Sequence, residues 1–85
     1  MKNPPSTLLH WTLGQGAARI ACDLDRRGDR TFRLSVTPSW SRRARIVDRF
    51  TDVVEAMERH AEVTGRLRDT GWRVIDRTAA AAASQ

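Results

Sequence analysis

One stretch of this chain keeps a helical period, and the residues before it alternate. Residues 51–72, TDVVEAMERHAEVTGRLRDTGW, carry a start signal, a sustained repeat and a stop signal. Asp52 can cap the first turn, and Glu55, three residues on, can return the bond to complete a capping box. Val53, Ala56, Met57, His60, Val63, Thr64 and Leu67 recur at the spacing of one helical face, with Glu55, Glu58, Arg59, Glu62, Arg66 and Asp69 mostly on the other. Gly71 supplies a left-handed residue to end the helix, and Trp72 can fold back onto the last turn. Such a stripe cannot stay in water; a sheet or a second helix must cover it.

The upstream residues supply a sheet. Residues 8–13 put Leu9, Trp11 and Leu13 on one face and His10 and Thr12 on the other. In 17–25, Ala18, Ile20, Cys22 and Leu24 oppose Arg19, Ala21, Asp23 and Asp25. In 30–37, Phe32, Leu34 and Val36 oppose Thr31, Arg33, Ser35 and Thr37. Gly-Gln-Gly at 14–16 and Arg-Arg-Gly-Asp at 26–29 read as turns, and Pro38, which has no amide hydrogen, closes the third strand. Residues 45–50, RIVDRF, read as an edge strand or as a backward extension of the helix; Asp52 as a cap and the Ile46-Val47 pair favour the strand. Residues 73–77 can form a last short extended piece laid against the sheet.

The expected fold is α+β: a three- or four-stranded antiparallel β-meander followed by one long C-terminal α-helix packed on one sheet face. It forms a single domain over 8–77. Residues 1–7, with two prolines, read as a flexible lead-in, and 78–85, TAAAAASQ, as a disordered alanine-rich tail.

The same residues resemble a group of short bacterial proteins that share a sparse pattern. It comprises Trp11-Thr12-Leu13 in the first strand, Ala21-Cys22 in the second, and Pro38 and Trp40 after the third. Ala56, His60 and Ala61 follow in the helix, and Leu67, Arg68, Gly71 and Trp72 at its end. The resemblance spans 8–73 and implies the same meander-plus-helix fold. Its motifs are structural punctuation and imply no activity, cofactor or partner.

Composition narrows the function classes. A chain of 85 residues buries a small core, so partnering is expected, most simply as a homodimer. A lone cysteine forms no internal disulfide, no apolar run nears the ~20 residues of a membrane span, and 1–16 lacks a secretory signal pattern. The expected setting is the cytoplasm, without membrane contact. His10, His60 and Cys22 are not spaced as a metal or haem motif, so no catalytic residue, metal, cofactor or small-molecule substrate is expected. Cys22 and His60 would meet if the helix crossed the second strand. The simpler role for His60 is then a boundary residue hydrogen-bonded to backbone or a neighbouring side chain, and for Cys22 a small hydrophobe. Asp23, Asp25 and Asp29 lack an EF-hand register and stand among Arg26, Arg27 and Arg30.

Charge is the one feature that points outward. The net charge is +5 and the pI near 11.2, carried by arginine except for Lys2. Guanidinium groups suit phosphate, although a GC-rich genome yields the same bias unselected. The sheet face away from the helix would carry Arg19 and Arg33, with Arg45 and Arg49 if the fourth strand alternates that way, and Arg42 and Arg43 at its edge. These six are the candidate polyanion contacts. The face offers no aromatic ring for base stacking, since Trp11, Trp40 and Trp72 belong to the core, a loop or the helix end. Two functions follow. One is a non-enzymatic protein-interaction or self-associating module, which needs the fewest coincidences. The other is nucleic-acid binding, single-strand or nonspecific, through the arginine-lined face.

Overall fold

The computed structural model describes residues 6–41, 43 and 45–79. The alternating segments form β1 (Ser6–Gln15), β2 (Ala18–Gly28), β3 (Thr31–Pro38) and β4 (Ile46–Phe50). They are followed by α1 (Val53–Asp69) and β5 (Arg73–Ala79). All neighbours pair antiparallel in one sheet of order β4-β3-β2-β1-β5. Among the described residues the fold is α+β, five strands with one helix on one face.

The four-strand meander is there, but the helix is not the last element. The expected short piece at 73–77 is a full strand beside β1, in register from Gly14↔Arg73 to Leu9↔Ala79. Without it β1 would present a ten-residue unpaired edge. Val74, opposite Leu13, also extends the core. Ser6 and Thr7 belong to β1, and Thr78 and Ala79 to β5. The rest of the expected lead-in (1–5) and tail (80–85) lies outside the described residues.

The hairpin turns are shorter than the glycines suggest. Only Gly16 and Ala17 separate β1 from β2, with Gly16 at φ +60°, and only Asp29 and Arg30 separate β2 from β3. Gly14 sits inside β1, where Ile75 and the Arg19 guanidinium lie over the space a Cβ would occupy.

Strand register stacks the apolar rows under the helix: Leu13–Ile20–Pro38, Trp11–Cys22–Val36–Ile46 and Leu9–Leu24–Leu34. Ala56, His60, Val63 and Thr64 of α1 are buried against them, while Val53, Leu67 and Trp72 are half-buried at the margin. Met57, expected in the stripe, is 43 % exposed, beside the buried line through Ala56, His60 and Val63. Asp52 caps the helix through a 3.0 Å bond from the Val54 amide. Glu55 makes no return bond among the described residues, so half of the capping box forms. At the other end the Gly71 amide reaches the Arg68 carbonyl at 3.1 Å and the Trp72 amide the Leu67 carbonyl at 3.0 Å. With Gly71 at φ +99°, this is the Schellman arrangement, and Leu67 and Trp72 on its two sides both pack against the core.

Candidate functional site

Among the described residues nothing covers the sheet face away from the helix, and its rows run straight across the strands. At the β2–β3 turn end lies Asp25–Arg33–Arg49; next come Thr78–His10–Asp23–Ser35–Val47, then Asp76–Thr12–Ala21–Thr37. The first row opens into a cleft of about 190 Å³ lined by Arg27, Thr31, Arg33 and Arg49. A register shift between Arg26 and Gly28 bulges the strand at Arg27 and brings its side chain to the same cleft.

These three guanidinium groups differ from those of Arg26, Arg59 and Arg66. Arg59 bonds Asp48 of β4 at 3.3 Å and also Glu62, and Arg66 bonds Glu62 at 3.2 Å. Arg26 caps the carbonyls of Gly28 and Asp29, both at 3.2 Å. Arg27, Arg33 and Arg49 make no ion pair among the described residues, although Asp25 stands opposite Arg33. The Arg33 Nε–H is buried and finds no hydrogen-bond partner there either. A shielded donor left unpaired costs free energy that an arriving acceptor would recover.

Of the six arginines expected to form one surface, the register brings together only Arg33 and Arg49. Arg19 lies near the opposite end of the face, and its guanidinium donates to the Gly16 and Ala18 carbonyls at 2.8 and 2.9 Å. Arg45 is exposed before β4, four residues and so ~13 Å of strand from Arg49. Arg43 is exposed in the β3–β4 connection, and Arg42 lies outside the described residues. Arg27, read from sequence as part of a polar turn, completes the cleft instead. The signal for it was the parity it shares with Asp23 and Asp25, had the strand been carried past Asp25.

Two histidine constellations, one in the core and one on the open face, have a different character. His60 does come beside Cys22, but its Nε2–H donates to the Cys22 backbone carbonyl at 3.3 Å. Burial, then the Asp23 charge, pushes the thiol up to about 12, away from a reactive thiolate. His60 is fully buried, not a boundary residue. On the open face the His10 Nδ1–H donates to the Asp23 carboxylate, and Ser35 stands on Asp23's far side in the register. With the carboxylate between imidazole and hydroxyl, the order is unsuited to a serine relay, which needs the imidazole in the middle. No cluster of three or more His, Cys, Asp or Glu forms a metal site among the described residues. None of the described helices is long and apolar enough to cross a membrane.

Trp40 is 58 % exposed in the loop after β3 and lies tilted against Trp72, with ring centroids 6.2 Å apart and planes at 31°. It lies beyond the end of β3 furthest from the cleft. The ring on the open face itself is His10.

No family model, curated protein or solved structure matches this chain.

Proposed function

We propose that this is a small, non-enzymatic binding domain that holds a single nucleic-acid strand on the open face of its sheet. The observation that carries this reading is the convergence of Arg27, Arg33 and Arg49 on one cleft, with none of them ion-paired among the described residues. Guanidinium forks match phosphate oxygens in geometry and charge, and the net charge of +5 favours encounter with a polyanion. Beyond the cleft the face is low and mostly small: Ala21, Ser35, Thr37 and Val47, with His10 as a ring on which a base can stack.

The test is binding of labelled single- and double-stranded oligonucleotides across a salt series. Binding through these guanidinium groups predicts an affinity that falls as salt is added. Affinity should fall at least tenfold in Arg33→Gln and Arg49→Gln, and remain in Arg45→Gln. Binding unchanged by the cleft substitutions would reject the reading.

Self-association is supported by a separate observation. β5 is an edge strand, and its Ile75 is 53 % exposed. Two copies pairing along this edge would continue the sheet about a two-fold axis. Solution mass at micromolar concentration, repeated for Ile75→Lys, decides this reading separately from the first.

A further inference from the structure

The distribution of charge on the open face narrows what the cleft can hold. A strand tracking across the sheet by its backbone needs positive charge spaced along its path. Past Arg33 the path meets Asp25 in the same row, Asp23 in the next and Asp76 in the third. At the far end, Arg19 is turned onto its own hairpin carbonyls. The guanidinium groups that converge are therefore those of the cleft, with carboxylates in the rows beyond it and Arg73, opposite Gly14, and Arg45, before β4, standing apart from it.

A point of three guanidinium groups matches one phosphate better than a row of them. An internal phosphodiester carries one charge and two free oxygens. A terminal phosphate monoester carries nearly two charges and three free oxygens, enough for forks from several arginines. The Arg33 Nε–H is buried and unpaired among the described residues, and Thr31 lines the same cleft. The cleft lies at the turn end of the sheet, where a strand's end can enter while its body lies over Ser35, Ala21 and His10.

We infer that the cleft of Arg27, Thr31, Arg33 and Arg49 is a seat for the terminal phosphate monoester of a nucleic-acid strand. The domain thus recognises strand ends rather than strand interiors. This rests on the strand-binding reading above and adds end recognition to it.

The experiment compares one short single-stranded sequence in three forms: 5′-phosphorylated, 3′-phosphorylated and with both ends hydroxyl. A phosphoserine peptide and inorganic phosphate serve as competitors. The expected result is at least tenfold tighter binding of one phosphorylated form, which also assigns the end. That gain should disappear in Arg33→Lys, which keeps the charge and loses the Nε donor and the fork. Unchanged thermal unfolding of Arg33→Lys, and of Arg27→Gln as a second variant, shows that the fold survives. Equal affinity for all three forms, with Arg33 still required, would overturn end recognition and leave strand binding standing. No binding of any oligonucleotide would overturn the strand-binding reading itself. Competition by the phosphoserine peptide matching that of the phosphorylated strand would overturn the nucleic-acid assignment in favour of a phosphorylated protein segment.

Discussion

His60 on the helix donates a hydrogen bond through Nε2 to the backbone carbonyl of Cys22 on the central strand, at 3.3 Å. Trp11 closes the other side, meeting the imidazole edge-on at 84° with centroids 5.1 Å apart. The ring is thus a buried polar bolt between layers, neutral and satisfied.

Acid should loosen that bolt. Burial holds the His60 pKa below its ordinary 6.5, outweighing the opposing effects of the Cys22 carbonyl and the Asp23 charge. The unfolded chain therefore binds this proton more readily. His60's contribution is complete above about pH 6.5 and is lost as pH falls below it, by at most ~1.4 kcal/mol per pH unit. Urea unfolding at pH 7.5, 6 and 5 reads this directly, and His60→Gln should flatten the decline. An equal decline in that variant would assign it elsewhere.

The Cys22 thiol should be slow to react. With its pKa raised to about 12 and its side chain enclosed, little thiolate is present near neutrality. Reaction with a disulfide reagent at pH 8 should be on the order of a thousandfold slower in the folded than in the unfolded chain. Fast labelling in native buffer would mean that the helix lifts from β2 readily.

Two glycines should respond in opposite directions to alanine. At Gly71, φ +99° and the nearby Gln15 side chain make a Cβ strained, so Gly71→Ala should cost roughly 1–2 kcal/mol. At Gly65, inside α1, a Cβ meets nothing within 4 Å, so Gly65→Ala should stabilise by roughly 0.5–1 kcal/mol. Chemical denaturation of both variants checks the pair.

The half-formed capping box makes a second contrast. Asp52→Ala removes the acceptor of the Val54 amide and should cost ~1 kcal/mol. Glu55→Ala loses only a favourable first-turn charge, worth about 0.3–1 kcal/mol at the surface. Equal losses measured by urea unfolding would show that Glu55 returns its bond in solution.

Local pattern carried most of the fold. Alternation placed Leu24, Leu34 and Cys22 on the core side, and Gly71 with Trp72 marked the helix end, because these signals depend on neighbours in the chain. The fifth strand was harder to read. Its value lies in pairing with β1, some sixty residues away, and a register shift between Thr12 and Leu13 breaks simple alternation along that seam. The candidate site suffered the same way. Parity told which face Arg19, Arg33 and Arg49 share, but only the β3–β4 register sets Arg33 opposite Arg49, and only the bulge at Arg27 completes the cleft.

The antiparallel seam between β1 and β5 has a mechanical consequence. Leu9 faces Ala79, so the outer ends of both strands lie at the same end of the sheet. A force pulling these ends apart acts along the inter-strand hydrogen bonds, which lie across the strands. The seam would open like a zip from Leu9–Ala79 towards Gly14–Arg73, one pair at a time. The meander ladders, loaded only afterwards, would yield last. Tension through the outer ends of β1 and β5 loads this seam before any other in the sheet.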